Sequence, residues 1–336
     1  MNDAKASTMA MYVHCLLKAG GDLHSAALEA DRTYGYEPRV SAALRKAGLA
    51  TTAEEFLGSW VDVGHLQSTF VGALQGVSAF DTMAPDTVRV PLNQRILIAS
   101  LAGAAAAGVP EGSLLPVGKL QVDGGGLLPQ LVAGILAVSK EALIGGDLQN
   151  LRRELVRAVA GATDQTFLGY LAGMAEIVPS AGGDPEGVRA DMAAGLEALQ
   201  LGAGNAVFIV LPARVCKRLC CGAADAMANW FTSDLGPNGG VLANMRVLVS
   251  DHIPQLSSDG GDTVLLVDAS QLLTGDSGLI FDGSSQALLQ ADGQLLNLWQ
   301  SNCEAVRFRR HIGFEIARNN AVVAITNVAW GRPTEG

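Results

Sequence analysis

The chain has 336 residues, 33 acidic against 23 basic, for a formal net charge of −10. Charged residues make up only 17% and hydrophobic ones 49%, whereas an ordinary soluble domain carries about a quarter charged residues. That leaves a membrane protein or a subunit that buries its outside against its own copies. The membrane reading fails because the most apolar stretches, 96–109 and 127–138, fall short of the ~20 residues a spanning helix needs and are broken by glycine or serine.

The start does not read as a secretory signal, since its apolar run 9–17 is short, holds His14 and follows Asp3. From there the pattern predicts helices over 7–19 and 23–34, separated by Gly20-Gly21, and a third from Pro38 to Lys46, ended by Gly48. Leucine is too sparse here for a self-sufficient core, so residues 1–70 are expected to form a helical arm. Alternation over 87–98 predicts a strand with Pro91 at an edge position. A Gly- and Ala-rich excursion follows over 99–126, and strand character returns over 127–138. Residues 87–138 therefore read as a long two-stranded flap that must lie on something, because an isolated hairpin is barely stable in water.

Asp147 is placed to cap the strongest helix, expected over 147–171 and roughly 37 Å long at 1.5 Å per residue. Leu148, Leu151, Leu155, Val159 and Ala162 share one face, and Arg152, Arg153, Glu154 and Arg157 the other. After a loop over 179–186, a helix is expected over 192–201, a buried strand over 206–211, and a helix from Pro212 to about Cys221. Short buried strands follow at 245–249 and 263–267. Near the end Val306, Phe308, Ile312, Phe314 and Ile316 alternate with Arg307, Arg309, His311 and Glu315, and only Arg310 breaks the apolar face. Asn319-Asn320 turns the chain into a last apolar strand over 321–326. No internal repeat is visible.

This order of elements resembles the major capsid proteins of tailed phages, an α+β architecture known as the Hong Kong-type capsid fold. The resemblance covers about residues 60–331. It rests on Asn302 with Ala305-Val306-Arg307 and the basic strand after it, on the stretch from Gly112 to Val138-Ser139-Lys140-Glu141, and on Phe208-Ile209-Val210-Leu211-Pro212 followed by 245–250. It implies a peripheral domain of 71–86, 139–185 and 296–320 with a spine helix, an extended loop of 87–138, and an axial domain of 186–295 and 321–331. It further implies hexamers and pentamers closing into an icosahedral head around double-stranded DNA, made in the bacterial host cytoplasm and located in the virion. Portal, scaffolding and protease proteins would be its partners, without membrane, cofactor or metal. Candidate assembly residues are Lys119 and Glu111 in the loop, Arg152 and Arg153 on the spine, and Arg307 and Arg309 on the basic strand. Fewer residues precede the matching region than the scaffolding segment many members carry. Some members cross-link a loop lysine to a neighbour's asparagine; Lys119 is the only lysine in this loop and reads more simply as a solvated tip.

Several enzyme-like patterns fail on their chemistry. Gly275-Asp276-Ser277-Gly278 matches part of a serine-protease signature but is followed by Leu279 and lacks a histidine partner segment, so it reads as a Gly/Asp/Ser loop. The run Gly112 to Lys119 has the wrong glycine spacing for a phosphate loop, Pro116 inside it, and Leu120 where magnesium needs a hydroxyl. Cys216 and Cys220 share a helix face next to Cys221, with no second Cys/His pair nearby for a metal. With Cys15 and Cys303 the cysteines total five, an odd count that points to a reducing birthplace. The acidic balance argues against tight wrapping of nucleic acid, and the three clustered arginines read as subunit contacts. An encapsulin-like nanocompartment shell and, more remotely, a serine hydrolase at Ser277 are the alternatives.

Overall fold

A computed structural model of the chain describes residues 2–35, 38–49, 74, 77–92, 95–102, 119–141, 148–199, 206–221, 235–257, 261–291, 294–317 and 320–331. The chain divides into two compact units. The first comprises Met1–Thr82, Leu131–Thr166 and Ser277–His311; the second comprises Met83–Gln130, Phe167–Asp276 and Ile312–Gly336.

The first unit opens with α1 (Asn2–Lys18), α2 (Leu23–Tyr34) and α3 (Pro38–Leu49). They bury Ala10, Val13 and Leu17, Ala26, Ala27 and Ala30, and Val40, Ala43 and Leu44. The small alanines on α2 let the three axes approach. Asp22 caps α2 by accepting a bond from the Ser25 N–H at 2.9 Å. The preceding Gly21 sits at φ +90°, and a Cβ there would lie 2.3 Å from the carbonyl oxygen of Gly283, so only glycine lets this turn seat on the strand beneath it. A short helix, α4 (Ala79–Met83), follows.

A four-stranded sheet runs in the order β1 (Val88–Arg89), β11 (Leu272–Ser284), β14 (Cys303–Ile316) and β4 (Gln130–Ser139), with β11 and β14 inside and β1 and β4 at the edges. A Cβ on Gly134 would meet the Phe308 ring at 2.5 Å, so this glycine makes room for the aromatic. α5 (Leu148–Met174) is the expected long helix, about 40 Å at 1.5 Å per residue. Leu151, Leu155 and Val159 are buried, while Arg153, Glu154 and Arg157 are exposed, as the periodicity requires. The expected cap, Asp147, lies outside the described residues.

The second unit holds a seven-stranded sheet in the order β5-β15-β10-β6-β9-β8-β7. Its strands are β5 (Glu176–Pro179), β6 (Val207–Leu211), β7 (Leu235–Gly236), β8 (Gly239–Leu242), β9 (Met245–Val249), β10 (Asp262–Asp268) and β15 (Val322–Val328). β10 is buried throughout and pairs antiparallel with both β15 and β6, which is why it reads as a continuous apolar run. Helices α6 (Pro185–Ala198) and α7 (Ala213–Cys221) contribute Val188, Met192, Val215, Cys216 and Leu219 to the core, together with Ile209, Leu266, Ile325 and Trp330.

Four expectations need correction. The strand expected over 87–98 is two strands, β1 (Val88–Arg89) and β2 (Arg95–Ala102); Pro91 lacks the N–H that would carry a ladder through the middle. The flap pairs β2 with β3 (Lys119–Gly126), from Arg95↔Gly126 to Ala102↔Lys119, so its returning strand is not 127–138. The segment Gly275–Gly278 is not a loop but the interior of β11. The helix expected over 192–201 runs from Pro185 to Ala198, and Asp184 caps it through the Gly187 N–H at 3.1 Å. The tip of the excursion, 103–118, lies outside the described residues.

Candidate assembly site

The central strand β14 presents two faces of opposite character. Arg310, the one charge on its apolar face, is 1% exposed and grips Asp81 with two bonds of 3.0 and 2.7 Å. Its guanidinium also stacks 5.2 Å from the centroid of the Phe80 ring. Asp164 on α5 accepts bonds from the Ser78 hydroxyl at 2.7 Å, the Ala79 N–H at 2.9 Å and the Phe80 N–H at 3.2 Å, and so caps α4 from outside. Burial pushes the Asp164 carboxyl above its ordinary range against those bonds, and the charge of Asp81 adds to the rise. One polar node thus fixes the long helix, the 78–83 segment and β14 in a single register. The partners Asp81 and Asp164 carried no local sequence signal.

On the opposite face, Arg307 and Arg309 both reach Asp282 on β11 at 2.9 Å. Their first salt bridges are therefore within the subunit; two cations share one carboxylate, and the pair presents net positive charge outward. Lys140, just past β4, bridges to the buried Glu304 at 3.4 Å, and its N–H donates to the Asn302 carbonyl at 3.0 Å. Lys119 begins β3, paired with Ala102. Arg153 is on the exposed face of α5. Arg152 is on the same helix, but its side chain is not among those described, and Glu111 falls outside the described residues. Among the described side chains, those of Arg307 and Arg309 are the candidates brought together.

One apolar surface lacks cover among the described residues. Along β4, Val132 faces inward, whereas Leu131, Ala133, Ile135 and Ala137 are exposed. This strand is at the edge of its sheet and carries no charge or proline, the devices that usually blunt such an edge. The β2–β3 hairpin is a two-stranded sheet on its own, with apolar residues at successive positions of β2.

The enzyme-like patterns fare differently. The Ser277 hydroxyl accepts the backbone N–H of His311 at 3.1 Å, a contact between neighbouring strands. Cys216 is buried in α7 with its thiol 3.2 Å from the Gly236 carbonyl oxygen. Among the described residues no three His, Cys, Asp or Glu side chains gather as a metal site, and no helix is long and apolar enough to cross a membrane.

No protein-family model matches the sequence, and no curated protein matches it. Solved structures do. A structure from Gordonia phage Cozz superposes with a TM-score of 0.50 at 15% identity, over 74% of this chain and 86% of that one. This is the Hong Kong-type capsid fold. Two further structures overlap less closely: the capsid of an empty GTA particle (TM-score 0.49, 11% identity, 74% and 89% of the two chains) and a virus-like particle from Pyrococcus furiosus (0.43, 10%, 71% and 89%).

Proposed function

We propose that the chain is a major capsid protein, a structural rather than catalytic subunit that assembles into hexamers and pentamers of an icosahedral phage head enclosing double-stranded DNA. The observation that carries this reading is the fold shared with the Gordonia phage structure over 74% of the chain. Low charge and the exposed apolar residues of β4 support it, because the buried core of a subunit interface is depleted of charge.

On this reading the seven-stranded sheet is the axial domain, and α5 with the β4–β14–β11 sheet is the peripheral one. The β2–β3 hairpin of one copy lies over the peripheral domain of the next, against the uncharged edge and outer face of β4. That contact is head-to-tail, and such contacts close into rings where the rotation permits. Rings of five and six then tile the shell. Lys119 and Glu111 sit on the reaching loop, Arg152 and Arg153 on the receiving spine, and Arg307 and Arg309 add a cationic rim. A net charge of −10 suits an inner surface that faces packaged DNA without gripping it. Portal, scaffolding and protease proteins complete the particle, which is made in the host cytoplasm.

Deleting residues 103–123 tests the proposal. The expected product is a folded subunit, with wild-type circular dichroism, that sediments as a monomer and forms no shells. Normal particles from the deletion would contradict the loop contact.

A further inference from the structure

The β2–β3 hairpin leaves the second unit on two legs, and each leg meets a glycine. The incoming leg is tied to β11 as far as Val90. There β1 pairs Val88 with Leu273 and Arg89 with Thr274, the Thr87 and Thr274 hydroxyls meet at 2.6 Å, and the Val90 N–H donates to the Thr274 carbonyl at 2.8 Å. Leu92 follows, just ahead of the start of β2 at Arg95. The outgoing leg starts at Leu127, directly after β3 and fully buried. Against these legs lie Gly275 on β11 and Gly313 on β14, which are neighbouring strands.

A Cβ on Gly275 would lie 2.7 Å from Leu92 Cδ2 and 2.8 Å from the Val90 carbonyl oxygen. A Cβ on Gly313 would lie 2.8 Å from the same Leu92 methyl, 3.2 Å from Leu127 Cδ2 and 3.3 Å from the Leu128 carbonyl oxygen. One methyl group thus fills a notch that two glycines on adjacent strands leave open. Each glycine also lies against the backbone of one leg, Gly275 against the incoming and Gly313 against the outgoing. Neither has a positive φ, so space and not backbone conformation is what excludes a side chain here. Glycine inside a strand weakens it and marks a close approach by another part of the chain. These two mark the same approach.

We infer that this notch is the seat that sets the direction in which the hairpin leaves the subunit. A two-stranded ribbon has no body of its own to hold its course, so its heading is fixed at its base. The inference rests on the reading that the hairpin reaches the next copy. β2 and β3 each run for 8 residues, roughly 26 Å at 3.3 Å per residue. A tilt of about 10° at the seat therefore carries their far end about 4–5 Å sideways, enough to miss a packed contact.

The test compares Gly313→Ala, Leu92→Ala and the double variant with wild type, each as the full chain, by electron microscopy. Each single variant is expected to keep wild-type circular dichroism and to lose closed shells. The double variant, in which an added methyl takes the place of the leucine atoms removed, is expected to regain them. Such a cycle isolates the coupling between the two positions. Wild-type shell yield from either single variant would overturn the inference, as would a double variant that assembles no better than the singles. A second readout is amide hydrogen exchange at Val90 in the soluble subunit, which should speed up in Leu92→Ala as the incoming leg loosens. Unchanged exchange there would overturn the seat even if Gly313→Ala failed to fold. A wild-type chain that forms neither rings nor shells would instead remove the shell reading and the directing role with it.

Discussion

Arg310 and Asp81 are each 1% exposed, and their two bonds satisfy charges that water cannot reach. Removing one partner of such a pair costs about 3–5 kcal/mol because it strands the other, whereas replacing both with apolar residues is often neutral. Arg310→Met should therefore lower stability by about that amount in urea titration, and adding Asp81→Leu should restore much of it. A double variant as unstable as the single one would show that the pair does more than neutralise itself. Asp164 makes a second prediction. Its carboxyl is raised in the folded state by burial and by Asp81, so its contribution to stability is fully present below the unfolded value near 3.8 and is lost as pH rises through the folded one. Relative to Asp164→Asn, the wild type should gain stability as pH falls from neutral toward 4; a flat difference would contradict the shift. Sequence pattern alone singles out Arg310, since it interrupts an alternation. Its partner lies 229 residues away, and no local pattern connects positions so distant.

Elements were legible where burial imposes a period. The long helix declares itself because one face is buried, and Leu155, fully buried, is its centre. Leu155→Ala should cost about 2–5 kcal/mol, and Leu155→Glu should leave no soluble native protein; soluble Leu155→Glu with a wild-type spectrum would contradict the packing. Gly134→Val should drive β4 off the Phe308 ring that its glycine accommodates, seen as a loss of cooperativity in thermal melting. What the sequence hid follows from the same physics. Apolar residues and glycines run through 96–139 almost without alternation, with Glu111, Lys119 and Asp123 the only charges, so nothing local says that 119–126 pairs with 95–102 while 130–139 joins another sheet. The Gly275–Gly278 segment has turn chemistry but is strand because β14 supplies its pairing, here through the His311 N–H on Ser277. Arg307 and Arg309 were visible as a same-face pair, and Asp282, on a neighbouring strand, was not.

At the scale of the molecule, the chain spends few charges and leaves apolar surfaces bare. The uncharged, exposed edge of β4 is a liability for a solitary protein and suits a subunit that closes a shell with its own copies. Deleting the tip of the hairpin should stop assembly at free subunits. The most direct measurement is to express the chain alone and image it by negative-stain electron microscopy alongside light scattering. Rings of five and six subunits or closed icosahedral shells are the expected result. A monodisperse monomer or dimer at every concentration and salt would contradict the account.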